Sequence, residues 1–287
     1  MKQISILGCG WLGLPLAKAL LANGFSVKGS TTSESKLSVL KSAGIEPFLL
    51  NLTPTLSSGE RAEIGNTIEN FLNGSETLVI DIPPKLNRKN NDTTVADDPS
   101  SLLRMIFVEK IKTLIPHLEK SAVKNVLFVS STSVYGEVNG TITEETLPKP
   151  DTESGKQLLE VEKLLQSNSD FKTTILRFGG LIGEDRNPIK FLAGKENLEN
   201  PETPINFIHL EDCIGIILKI ITADSWNEIY NGVSPFHPTR EAYYSQKATE
   251  LGLPIPRFAH SKPSVNRLIL GDKTERVLGY KFIKANL

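Results

Sequence analysis

Three glycines constrain the start of this chain more than any other feature. Residues 4–17 read ISILGCGWLGLPLA, with Gly8, Gly10 and Gly13 in a G-x-G-x-x-G spacing. Ahead of them, residues 4–7 form a short apolar run rich in β-branched side chains, as in a buried parallel strand. Behind them an apolar stretch continues through Leu21 and stops at Asn23-Gly24, the way a helix ends. Pro15 falls in the first turn, where its missing N–H does no harm. Gly8 permits a tight turn, Gly10 lets backbone approach a pyrophosphate, and Gly13 lets helix pack close to strand. The helix N-terminus then offers free N–H groups and about half a positive charge to phosphates. Gly8, Gly10, Trp11, Leu12 and Gly13 are therefore expected to hold a dinucleotide. Gly8-Cys9 also imitates a lipoprotein cleavage box, but the apolar run before Cys9 is too short for a signal-peptide core.

Strand-like and helix-like segments alternate through the first half. Strands are expected at 25–27, 47–50, 77–80, 125–129 and 173–176, and helices at 109–120 and 155–165. That alternation predicts an α/β fold, a Rossmann-type doubly wound parallel sheet. Residues 1–178 are expected to form the dinucleotide-binding domain. Residues 179–287 should form a smaller, partly interleaved substrate lobe, with a helix and strand at 211–234 returning to the sheet. Two polar stretches, 83–101 and 183–206, follow strand ends, where open α/β sheets bind ligands. Their charges, Lys85, Arg88, Arg186 and Lys190, read as solvated surface.

The 287 residues carry 32 Lys plus Arg against 33 Asp plus Glu, a balance that argues against nucleic acid or an anionic membrane as partner. No run approaches the roughly 20 apolar residues of a membrane span, so a soluble protein is expected. Cys9 and Cys213 make no C-x-x-C pair or disulfide framework, which points to a reducing cytoplasm. The four histidines show no metal-ligand spacing, and no metal is expected.

The strand at 125–129 runs into SSTSVYG, residues 130–136. With the glycine turn, this resembles the extended short-chain dehydrogenase/reductase superfamily, the NAD(P)-dependent epimerase/dehydratase group acting on sugar nucleotides. Leu176-Arg177-Phe178 with Ile182-Gly183, the segment FIHLEDCIG (207–215) and LGYKF (278–282) are similar to further family segments, in order, over nearly the whole chain. The resemblance implies carbonyl chemistry by a Ser or Thr, here Ser131, and by a Tyr-x-x-x-Lys pair. In that pair tyrosine moves the proton, and lysine one turn on binds ribose and lowers the tyrosine pKa. Here Ser154 stands at the tyrosine position and Leu158 at the lysine position. The family's helix asparagine is replaced as well, with Val108-Glu109-Lys110 in its place. The chain is most similar to atypical bacterial members with GWLG after the first glycines and no catalytic tyrosine.

A serine hydroxyl is a far weaker acid than a phenol, and leucine supplies no charge. Tyr135, beside Ser131, is the candidate substitute acid. The literal Tyr-x-x-x-Lys of Tyr243–Lys247 lies after the last strand and is expected on a surface helix. His209, before Asp212, reads as a cap. For the cofactor, residues 28–33 (KGSTTS) hold no carboxylate to pair an NAD ribose. Ser30, Thr31 and Thr32, with Lys36 nearby, suit the 2′-phosphate of NADP better, NAD being the alternative. Asn51 and Leu52 are expected against adenine, and Asp81, Ile82 and Pro83 on the nicotinamide side. The implied partner is a small molecule, a nucleotide sugar or similar polyol or carbonyl compound, with a homodimer as the compatible assembly. An oxidoreductase or epimerase-like enzyme is one reading; a non-catalytic NADP(H) redox sensor is the other.

Overall fold

The computed structural model describes residues 1–52, 67–84 and 99–286. Lys85, Arg88 and most of the 83–101 stretch lie outside the described residues. In chain order the elements begin with β1 (Gln3–Leu7), α1 (Gly13–Ala22), β2 (Ser26–Thr31), α2 (Leu37–Ser42), β3 (Glu46–Leu49) and α3 (Ile68–Leu72). There follow β4 (Thr77–Ile80), α4 (Pro99–Glu119), β5 (Asn125–Ser131), β6 (Gly140–Ile142), α5 (Glu153–Gln166) and β7 (Lys172–Phe178). The last are β8 (Gly180–Ile182), β9 (Phe207–His209), α6 (Leu210–Thr222), β10 (Ile229–Gly232), α7 (Arg240–Glu250), β11 (Arg267–Ile269) and α8 (Asp272–Arg276).

Seven strands form one parallel sheet in the order β10-β7-β5-β4-β1-β2-β3. The strand order reverses beside β1, which pairs β2 on one side (Ile4 opposite Val27) and β4 on the other (Ile4 opposite Thr77). That reversal is the topological switch point at which such sheets bind ligands, beyond the strands' C-terminal ends. β4 reads TLVI and is buried at all four positions, as expected of a parallel strand covered on both faces. The strand expected within 211–234 is β10, at the sheet edge beside β7.

The chain groups into two compact units. One comprises Met1–Val134, Pro150–Leu176 and Asp224–Ile229; the other Tyr135–Lys149, Arg177–Ala223 and Tyr230–Leu287. Within the first, α5 starts where the Thr152 hydroxyl accepts from the Gly155 N–H at 3.1 Å, an N-cap. Its Leu158, Val161 and Leu165 recur at helical spacing and are buried. Within the second, the His209 imidazole caps α6 by accepting from the Glu211 N–H at 3.3 Å. Asp212 is fully buried and accepts from the Tyr280 hydroxyl at 2.8 Å and the Ile283 N–H at 2.7 Å. Two small parallel pairs, β6–β11 and β8–β9, complete this unit.

The expectation of a surface helix around Tyr243 needs correction. Residues 240–250 are helical, but Tyr243 and Tyr244 are buried with Ile189, Ile205 and Ala248. Both rings meet Phe207 edge-on, at 5.3 and 6.4 Å between centroids. Two adjacent tyrosines on a polar helix become core because each ring fills an aromatic contact.

Candidate functional site

The glycine turn is held at three points. The Gly8 N–H donates to Ser30 Oγ at 3.0 Å, the Cys9 N–H to the Ser30 carbonyl at 2.8 Å, and the Asp81 N–H to the Leu7 carbonyl at 2.8 Å. Gly8 has φ 106°, a conformation L side chains rarely adopt. A Cβ there would run into the Asp81 carbonyl oxygen and stand 2.9 Å from Ile82 Cγ2. At Gly13 a Cβ would strike the Gly8 carbonyl oxygen, so helix and turn touch backbone to backbone. Among the described residues nothing lies within 4 Å of a Cβ on Gly10. The turn thus excludes side chains where it packs and leaves open space where it faces outward, the geometry a pyrophosphate requires.

A cavity of about 580 Å³ opens over this turn, within the range of small-molecule sites. It brings together Gly8, Gly10, Ser30, Thr31, Thr32, Asn51, Leu52, Asp81, Ile82 and Pro83 from the ends of β1 to β4. Trp11, Leu12 and Gly13 are not in its lining; Leu12 is buried in the core. Sequence reasoning missed Phe107 and Lys110, which reach the cavity from α4. Their i,i+3 spacing was the available signal.

The polar groups divide their work. Ser30 is 2% exposed and its hydroxyl receives the Gly8 N–H, so it holds the turn. The exposed Thr32 and Lys36 stand at the cavity edge. Lys28 is occupied elsewhere, its ammonium donating to the Asn70 and Asn73 carbonyls at 2.7 and 2.8 Å. Cys9 packs beside Gly29, and burial with the nearby Asp81 charge pushes its thiol up to about 12, so it stays an unreactive thiol. Burial likewise raises the Asp81 carboxyl to about 7, the Gly13 N–H it accepts offsetting part of the rise.

The expected catalytic residues do not line this cavity. Ser131 ends β5, whose Phe128 pairs with Ile80 of β4, so it lies at the same end of the sheet as Asp81. Its Oγ accepts from the Ser133 N–H at 3.2 Å, which leaves its own proton to donate. Tyr135 is fully buried; its hydroxyl donates to Asn231 Oδ1 at 2.8 Å and accepts from the Arg177 guanidinium at 3.0 Å. Arg177 also stacks 4.9 Å from the ring centre. Burial raises this phenol above its ordinary pKa, Arg177 opposing the rise. Ser154 lies in the first turn of α5, 3.4 Å from the Thr152 hydroxyl, and Leu158 is on the core face. No disulfide is involved, since Cys9 and Cys213 are both free thiols. Glu202, Glu241 and His260, distant in sequence, bring ligand atoms within 4.8 Å of one another at the surface; His260 and Glu241 are an ion pair at 3.3 Å.

A glycine turn on β1, flanked by β2 and β4 beneath a concave cavity, defines a dinucleotide-binding α/β protein. A family profile described as NAD(P)H-binding matches residues 8–207. The chain belongs to this NAD(P)H-binding family. It is 32% identical over 283 residues to Protein YeeZ of Escherichia coli K12, covering 98% of this chain and 96% of the relative. It is 24% identical over 277 residues to an Arabidopsis thaliana protein named as a chloroplastic epimerase family homolog, covering 89% of this chain and 74% of that one. The UDP-glucuronic acid 4-epimerase of Bacillus cereus, solved with NAD, has the same fold. Its TM-score is 0.77 at 16% identity, over 97% of this chain and 91% of that one. Among the described residues no helix is long and apolar enough to cross a membrane.

Proposed function

We propose that this protein binds NADP(H) and acts as an epimerase/dehydratase-like oxidoreductase on a nucleotide sugar or a similar polyol or carbonyl compound. The observation that carries the reading is the cavity over the glycine turn, closed to side chains at Gly8 and Gly13 and open at Gly10. Thr32 and Lys36 favour the 2′-phosphate, because a hydroxyl and a cation attract what a carboxylate would repel. Asn51 and Leu52 take the adenine side, and Ile82 and Pro83 the nicotinamide side. When bound, the nicotinamide gives or accepts a hydride. Ser131 donates a hydrogen bond to the substrate oxygen, while Tyr135, its hydroxyl engaged by Arg177 and Asn231, leaves proton transfer to water. The second unit holds a cleft of about 330 Å³, where Arg186, Lys247 and Lys284 stand beside Glu184 and Glu250. The two free thiols fit a reducing cytoplasm.

NADPH titration of Gly10→Asp tests the cofactor reading. Among the described residues the substitution meets no atom within 4 Å at Cβ, but it puts a carboxylate where the pyrophosphate lies. Folding should be retained and affinity should fall about a hundredfold; unchanged affinity sinks the reading. The second reading, a redox sensor without turnover, is favoured by Ser154 and Leu158 at the tyrosine and lysine positions, because that loss removes an acid–base step worth roughly 10²–10⁴-fold in rate. A screen of nucleotide sugars for NADPH-linked turnover decides between the two. In the same screen Ser154→Ala should leave any turnover intact and change urea stability by less than about 1 kcal/mol, since Thr152 is the cap. Abolished turnover in a folded Ser154→Ala protein would contradict that assignment.

A further inference from the structure

We infer that Lys110 is a cofactor-binding residue, contacting the ribose and phosphate on the nicotinamide side of the dinucleotide from helix α4. The inference rests on the proposed dinucleotide site and assigns a residue within it.

Packing fixes the rotation of α4. Val108, Ile111, Leu114 and Leu118 are buried, while Glu109 faces solvent and pairs with Lys112 at 2.8 Å. Phe107 and Lys110, three residues apart on one face, are thereby turned to the cavity, where both line it with Asp81, Ile82 and Pro83. The sheet order then says which end of the ligand they meet. With the pyrophosphate over the turn after β1, β2 and β3 carry the adenosine side, and β4 lies on the other side. Helix α4 follows β4 in the chain, so Lys110 stands opposite Lys36, the cation at the adenosine edge.

Chemistry supports the assignment. A dinucleotide brings anionic phosphates into a cavity that already contains the Asp81 carboxyl, and an ammonium offsets both while donating to ribose hydroxyls. The neighbouring helix α5 packs on α4, and its Leu158, Val161 and Leu165 are buried apolar residues that bring no charge. Lys110, half-buried on α4, supplies a cation at the cavity without a buried charge in the core, which would be costly.

Two ligands separate this role from a general loss of fold or charge. NADPH spans both ends of the cavity, whereas 2′,5′-ADP has the adenosine and its 2′-phosphate but no nicotinamide ribose. Lys110→Met should weaken NADPH about tenfold or more, the size of one lost charge-assisted contact, and leave 2′,5′-ADP within about twofold. Lys110→Arg, which keeps the charge, should recover most of the NADPH affinity. Equal NADPH affinity in Lys110→Met and the unaltered protein overturns the inference, as does an equal loss for both ligands. If the unaltered protein binds neither ligand, the NADP(H) reading itself has failed, a result distinct from a failed Lys110 assignment.

Discussion

Gly13→Ala is expected to lose NADP(H) binding and about 2–4 kcal/mol of stability, although it adds one methyl group. The added carbon would enter the space of the Gly8 carbonyl oxygen and lie 3.1 Å from the Asp81 carboxylate. The first neighbour is backbone and cannot rotate away, so the turn or the start of α1 must shift, and forced overpacking of this kind costs typically about 1–3 kcal/mol. The same shift breaks the hydrogen bond from the Gly13 N–H to Asp81, adding about 1 kcal/mol. Gly8→Ala should be at least as damaging, because strain at φ 106° adds to its clash with the Asp81 carbonyl. Gly10→Ala is the control: with open space around its Cβ, it should stay within about 1 kcal/mol of the unaltered protein. Urea unfolding of the three variants gives the order, and a Gly13→Ala protein as stable as Gly10→Ala would contradict the packing account. Ligand titration separates a displaced turn from a merely crowded one, since only displacement removes the pyrophosphate cradle.

That glycine turn was legible because its constraints are local: strand, turn and helix lie within about 20 consecutive residues, and each glycine answers to its neighbours. The strand ends carrying Thr32, Asn51 and Asp81 were legible for a related reason, since the parallel sheet brings strand C-termini to one edge. Lys110 was not, because its place in the cavity depends on how α4 rotates against the core. Ser30 lines the cavity, and its buried hydroxyl also receives the Gly8 N–H, a pairing set by the β1–β2 register and invisible in sequence. The β6–β11 pair joins residues 140–142 to 267–269. Three-residue strands so far apart carry no periodic signal. Tyr243 and Tyr244 misled because helical periodicity puts adjacent residues on different faces, and only the partners Ile189, Ile205 and Phe207 make both faces core.

Asp81 should make both stability and cofactor affinity depend on pH near neutrality. Its carboxyl sits half-buried against the glycine turn, raised from 3.8 to about 7 by burial, with the Gly13 N–H opposing the rise. The folded protein therefore keeps a proton there that the unfolded chain releases near pH 4. Stability from this group is fully present below pH 4 and is lost as pH rises to about 7, after which the carboxylate is ionised in both states. At about 1.4 kcal/mol per pH unit the loss is on the order of 4 kcal/mol at most, and solvent screening trims it. Asp81→Asn cannot ionise and should be more stable than the unaltered protein at pH 8 but equal to it at pH 3, as read by urea unfolding at both values. The dinucleotide adds a second effect, since its phosphates would lie beside the same carboxyl. Cys9 and Asp81 face one another there with Lys36 near Cys9, and Lys110 shares the cavity. A phosphate disfavours the ionised carboxylate further, so binding takes up a proton and NADPH affinity should fall as pH rises above 7, by up to about tenfold per unit. In Asp81→Asn that slope should flatten, with affinity at pH 8 above that of the unaltered protein. A pH-independent NADPH affinity between pH 6 and 8 in the unaltered protein would show that the phosphates do not lie against Asp81.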